Sequence, residues 1–230
     1  MMKSFLTAGL LLASFSPLAL AEEVKLETDQ QKASYLIGRN IGESIKADGL
    51  ELDLDLLHAG LKEVAAGTES KVSDEEAQAV MMKFQQEMQA KAMAKQEAAA
   101  AENIEAGEKF LSENKKREEV TETESGLQYE VLTAGEGKKP AASDTVSVHY
   151  HGTLLDGTVF DSSVERGQPA EFPVGGVIQG WVEALQLMPV GSKWKLYIPS
   201  DLAYGNRGSG PNIGPGETLV FEVELLDIKG

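Results

Sequence analysis

The sequence contains no cysteine. Disulfides, thiolate nucleophiles, cysteine-ligated zinc and iron–sulfur clusters are therefore excluded, as is anchoring through an acylated cysteine. Positive charge is scarce. The 21 lysines and arginines face 37 aspartates and glutamates, a formal net charge of −16, which repels phosphate backbones and anionic lipid and argues against nucleic acid as a partner. There are three histidines. His149 and His151 stand i,i+2 on a strand with no third ligand evident, so they read as a solvated sheet face and no metal site is expected; His58 reads as helix surface or interface. Long apolar runs are missing too. Residues 6–15 form the longest candidate, about half of what a bilayer span needs. Preceded by Lys3 and followed by the small-x-small triplet Ala19-Leu20-Ala21, this stretch reads as a secretory signal cut after Ala21. The expectation is an exported, periplasmic protein with no membrane span.

Proline is absent between Glu22 and Lys139, and seven of the eight prolines and both tryptophans follow. This break divides the mature chain into a helical part and a part built of turns and strands. The first helix opens at Thr28 with Gln31 as its capping-box partner, carries Leu36, Ile37, Ile41 and Ile45 at helical spacing, and stops near Gly49. The second runs from Asp53 to about Ala66 with Leu54, Leu57, Leu61 and Val64 as its stripe. Two such short helices bury too little surface to stand alone, so they need another surface, most simply their own copy in a second chain. A third helix is predicted over residues 74–118, opened by the S-x-x-E box of Ser73 and Glu76 and roughly 67 Å long. Its apolar stripe, Val80, Met81, Phe84 and Met88, fades after Met93 into alanines and charges. The expectation is a helix packed at its start, solvated further on, and acting as a spacer.

From about Thr121 the periodicity changes to two. Residues 127–132, 146–150, 193–198 and 218–228 alternate, one helix is predicted over residues 177–188, and an irregular glycine-rich loop spans residues 205–216. Many strands and one short helix make an α+β domain, an antiparallel sheet wrapped on that helix. There is no G-x-S-x-G elbow and no nucleophile–base set.

Three strings within this part carry a resemblance: HYHGTLLDGTVFDSS from His149, VIQGWVEALQLMPVGSKWKLYIPSDLAYG from Val177, and TLVFEVELL from Thr218. In this order and spacing they resemble FKBP-type peptidyl-prolyl cis-trans isomerases. With the signal, the helical part and SGLQYEVLTAGEG from Ser125, the whole chain resembles the bacterial macrophage infectivity potentiator (Mip) type. The resemblance implies residues 22–73 as a dimerisation domain, residues 74–118 as a long spacer helix with its first turns packed in that domain, and residues 119–230 as the isomerase domain. It implies no cofactor.

The resemblance also assigns a pocket. Asp161, Tyr204, Phe160 and Tyr150 are its implied catalytic residues, and Val177, Ile178, Trp181, Ile213, Phe221 and Arg166 its implied substrate-binding ones. Trp181 would be the floor, the Tyr204 hydroxyl and Ile178 N–H would bind substrate carbonyls, and Arg166 would orient Asp161 and Tyr150. Phe172, Tyr129 and Trp194 read as ordinary core. Ala170, Ser209 and residues 212–217 depart from the small-isomerase pattern, which bears on macrolide inhibitors as partners. The implied function is exported isomerisation of X-Pro bonds in periplasmic or outer-membrane clients. The alternatives are a dimeric holdase with its client site in a helical cleft, and a surface virulence factor binding host matrix.

Overall fold

The structure is a computed structural model that describes residues 25–229; the signal expected over residues 1–21 lies outside them. The chain divides into two compact units, one ending at Ser73 and the other beginning at Asp74. No helix among the described residues is long and apolar enough to cross a membrane.

The first unit holds α1 (Asp29–Ala47) and α2 (Leu54–Ala65). Thr28 caps α1 through its side chain, and Gln31 accepts from the Thr28 N–H, the reciprocal pair expected from the sequence. The Asp53 carboxylate accepts from the N–H groups of Asp55 and Leu56 and so starts α2. Neither helix contains a buried residue. Leu36 is 55% exposed, Leu61 55% and Val64 81%, so the apolar stripes form as predicted but stay uncovered among the described residues.

The second unit opens with α3 (Asp74–Asn114), about 60 Å long. It is shorter than the expected residues 74–118, because residues 120–122 form β1 (Val120–Glu122) and pair with β2 (Gln128–Thr133). Contrary to expectation, the buried residues of α3 lie in its second half: Ala100, Gly107 and Asn114. They repeat every seven positions and so share one face. At Gly107 a Cβ would collide with the Thr218 hydroxyl, so the missing side chain admits a close approach. Phe110 packs on Tyr197, ring centroids 5.7 Å apart. The final turn is fixed by a buried amide pair. Asn114 Nδ2 donates to Gln128 Oε1 (2.9 Å), and Gln128 Nε2 donates to the Leu111 carbonyl (3.0 Å), satisfying a group that the end of a helix leaves unpaired.

The sheet continues with β3 (Thr145–Thr153), β4 (Val159–Ser162), β5 (Ala170–Pro173), β6 (Lys193–Ile198) and β7 (Leu219–Ile228), in the order β1-β2-β6-β7-β3-β4, with β5 also on β3. All pairings are antiparallel. Period-two alternation sends Val146, Val148 and Tyr150 of β3, Trp194, Leu196 and Ile198 of β6, and Leu219, Phe221, Val223 and Leu225 of β7 into the core. There they meet Trp181, Ala184 and Leu185 of α4 (Gln179–Leu187). Gly180 lets α4 lie against the sheet, since a Cβ there would come 2.5 Å from Ile198 Cγ2. The sheet wraps on α4 as expected, while Tyr197, buried and touching Phe110, shows that α3 covers part of the opposite face.

Candidate functional site

A cavity of about 680 Å³ opens beside α4. Four strands, α4 and the loops before α4 and β7 build it. Tyr150 comes from β3, Phe160 and Asp161 from β4, and Phe221 from β7. Gly152 lies opposite Phe221 and Asp161 in the ladders, and a Cβ on it would stand 2.7 Å from the Phe160 ring and 2.8 Å from the Phe221 ring. A side chain at that position would therefore expel the two walls. Val177 and Ile178 lead into α4, whose Trp181 is 4% exposed and forms the floor. Rings surround it edge to face: Tyr150 at 5.4 Å and 85°, Phe221 at 5.2 Å and 77°, Phe172 at 5.8 Å and 87°. The Trp181 indole N–H is buried with no hydrogen-bond partner among the described residues, an unpaired donor in a floor that is otherwise an aromatic surface.

The polar groups lie at one edge. The Tyr150 hydroxyl donates to Asp161 Oδ2, Arg166 Nη1 donates to Asp161 Oδ1, and Arg166 Nη2 donates to the Tyr150 hydroxyl oxygen at 2.8 Å. Burial pushes the Asp161 carboxyl up, but the Tyr150 hydroxyl and the Arg166 guanidinium outweigh it and hold the group below the usual carboxylate range. Burial, then the neighbouring Asp161, raises Tyr150 above the usual phenol range. Hydrogen bonds to Tyr150 and Asp161 raise Arg166 further. Asp161 is thus a carboxylate at neutral pH, fixed in orientation at the edge of an aromatic cup. Across the mouth stands Tyr204, 40% exposed, its hydroxyl without a partner among the described residues. Ile178 is extended (φ −60°, ψ 151°) ahead of the first turn of α4, so its N–H is not engaged by the ladder of the helix.

The cavity gathers nine of the ten sequence-predicted residues: Tyr150, Phe160, Asp161, Val177, Ile178, Trp181, Tyr204, Ile213 and Phe221. Arg166 is absent from the lining. It holds Asp161 and Tyr150 from outside, its guanidinium carbon 5.5 Å from the Tyr150 ring centre, and so is placed to orient rather than to touch a ligand. Sequence reasoning missed Phe172, which had read as core. It lies on β5, a strand of four residues with too little alternation to show, and its pairing Val146↔Phe172 brings it to the cavity wall. Ser209 and Asn212, two of the departures from the small-isomerase pattern, are in the lining, whereas Ala170 is not. Tyr129 and Trp194 stack at 4.3 Å away from the cavity. His149 and His151 each hydrogen-bond a serine, Ser163 and Ser162, and are half-buried rather than solvated.

Comparison with known proteins gives concordant results. Residues 136–226 match the family described as FKBP-type peptidyl-prolyl cis-trans isomerase, and residues 30–131 match the domain amino terminal to it. The "Outer membrane protein MIP" of Legionella longbeachae is 44% identical over 230 residues, covering 100% of this chain and 99% of the relative. The "FKBP-type 22 kDa peptidyl-prolyl cis-trans isomerase" of Escherichia coli K12 is 51% identical over 203 residues, covering 88% and 97%. Among solved structures, the crystal structure of FkpA from Escherichia coli aligns with a TM-score of 0.73 at 42% identity over 89% of this chain and 99% of that one.

Proposed function

The chain belongs to the FKBP-type peptidyl-prolyl cis-trans isomerases and acts as such an isomerase and folding helper; on that premise we propose that the aromatic cup over Trp181 is where an X-Pro bond turns. Rotation about a peptide bond faces a barrier of about 18–20 kcal/mol because amide resonance must be broken. For X-Pro the cis and trans ends differ by only about 0.5–1 kcal/mol. No bond to a substrate atom has to form or break, and the one carboxylate of the lining, Asp161, is already engaged by Tyr150 and Arg166. The planar amide is more dipolar than the twisted one, so a dry apolar cup favours the twisted state, and catalysis is tighter binding of that state.

In this reading the proline ring lies on the Trp181 face, walled by Tyr150, Phe160, Val177, Phe172 and Phe221. The Ile178 N–H and the Tyr204 hydroxyl, both free to donate, hold the carbonyls flanking the bond. The Asp161 carboxylate faces the rotating carbonyl and disfavours its planar, more negative form. Arg166 keeps Asp161 pointed there. The observation that carries the reading is one fixed carboxylate at the edge of a cup whose floor and walls are otherwise apolar. Removing the charge in Asp161→Leu should lower kcat/KM on an X-Pro peptide about 10- to 100-fold, and removing one neutral hydrogen bond in Tyr204→Phe about 2- to 10-fold. A protease-coupled peptide assay reads both, and undiminished rates in both would remove the assignment.

The exposed stripes of α1 and α2 support a homodimer formed by these helices, because rigid, regular stripes suit a second identical surface better than irregular unfolded clients. Export to the periplasm is supported by the amino-terminal pattern around Lys3 and Ala21, and its polypeptide clients would be proteins folding there.

A further inference from the structure

The glycine-rich loop that closes the cavity is held from behind by α3. At its tip the loop is a small hairpin. Ser209 N–H donates to the Ile213 carbonyl (2.9 Å) and Ile213 N–H to the Ser209 carbonyl (3.2 Å), presenting Ile213 to the cavity beside Ser209, Pro211 and Asn212. At its root, next to Tyr204, the Gly216 N–H donates to the Gly205 carbonyl at 2.9 Å. Both sides of that root are tied to one helix. Gln96 Nε2 donates to the Asn206 carbonyl (3.0 Å), and Asn103 Nδ2 donates to the Pro215 carbonyl (2.9 Å). Between them Ala100 meets Gly216, where a Cβ would stand 2.5 Å from the Ala100 carbonyl oxygen. Positions 96, 100 and 103 are i, i+4 and i+7, one face of α3.

We infer that Gln96, Ala100 and Asn103 form a clamp that closes the root of the cavity loop, and that Asn103 is a positioning residue for isomerisation. It touches no substrate. It acts through Pro215 and Gly216 on the two cavity residues that flank the root, Tyr204 on one side and Ile213 on the other. The inference rests on the assignment of the cup as the isomerase site. Physically, the loop is glycine-rich, with Gly205, Gly208, Gly210 and Gly216 all at positive φ, and such a segment loses much conformational freedom on ordering. A loop unclamped at its root occupies the binding-competent shape a smaller part of the time, and apparent affinity falls by that fraction while the bound complex turns over as before.

The test uses the full chain and a cis-enriched X-Pro tetrapeptide, with kcat and KM measured separately. Asn103→Ala, which favours the helix more than asparagine does, is expected to raise KM about three- to ten-fold with kcat within about two-fold. Asn103→Gln keeps an amide donor and is expected to restore KM to within about two-fold. Asn103→Asp, which sets a carboxylate against the Pro215 carbonyl, is expected to raise KM at least as far as alanine. An unchanged KM in Asn103→Ala, a loss confined to kcat, or an equal rise in Asn103→Ala and Asn103→Gln would overturn the clamp. Asp161→Leu and Tyr204→Phe run alongside separate the two readings: undiminished rates in both remove the site, whereas the expected loss of about 10- to 100-fold in Asp161→Leu with an indifferent Asn103→Ala removes only the clamp.

Discussion

The two units of this chain solve the problem of apolar surface in opposite ways. In the unit beginning at Asp74, alternation along β3, β6 and β7 delivers one side of every strand to α4, and the resulting core includes Leu127, Val146, Val174, Leu196 and Leu225, all essentially inaccessible. In α1 and α2 the stripes are as regular, yet no residue is buried. Sheet-on-helix packing closes within one chain, whereas two short helices have only one side each to offer. The difference predicts which unit is autonomous and which is not.

The sharpest way to break that comparison is a pair of substitutions. Leu196→Ala opens a cavity in a closed core and should cost about 2–5 kcal/mol, seen as a lower denaturant midpoint together with lost isomerase activity. Leu61→Glu, on the open stripe, should halve the mass measured by light scattering while kcat/KM on a short peptide stays within about two-fold. If Leu61→Glu left the mass unchanged, or Leu196→Ala were silent, the contrast would fail.

A smaller effect probes the seam where α3 meets the sheet. Gly107→Ala gains about 1 kcal/mol of helix propensity, but its Cβ runs into the Thr218 hydroxyl, and overpacking costs about 1–3 kcal/mol. The net expectation is a destabilisation of about 1 kcal/mol, reversed in sign when Thr218→Ala is added. Thermal unfolding of the single and double variants reads the sign directly.

The smallest effect is a flat line. Burial raises the Asp161 carboxyl and its partners more than offset that, so its folded value lies below the unfolded one. Its contribution is therefore fully present above the unfolded value of about 3.9 and is lost only as pH falls through the depressed folded value. Tyr150 is raised and stays neutral, and Arg166 stays cationic. The Tyr150–Asp161–Arg166 set should give no inflection in kcat/KM between about pH 5 and about pH 9. An inflection in that range that vanished in Asp161→Asn would contradict the assignment.

Much of this was legible in the residues because it rests on periodicity and caps: Thr28 with Gln31, the stripes of α1 and α2, the alternation of β7. The cavity was legible only through its resemblance, since alternation alone cannot separate Phe221 in a cup from Val223 in a core. What hid was the docking of α3. Its contact face, Ala100, Asn103, Gly107 and Asn114, is made of small and polar side chains, which signal solvent to any hydropathy reading although they serve close approach and hydrogen bonding. Likewise β5 is too short to show a period, and so Phe172 passed for core.

The central claim is that this site turns a bond without making or breaking one. The solvent isotope effect on kcat/KM tests it most directly, because no proton moves in the scheme. Rates on an X-Pro peptide in H₂O and D₂O should agree, with a ratio of about 1; a normal effect of about 2 or more, abolished in Asp161→Leu, would show proton transfer in the rate-limiting step and contradict the account.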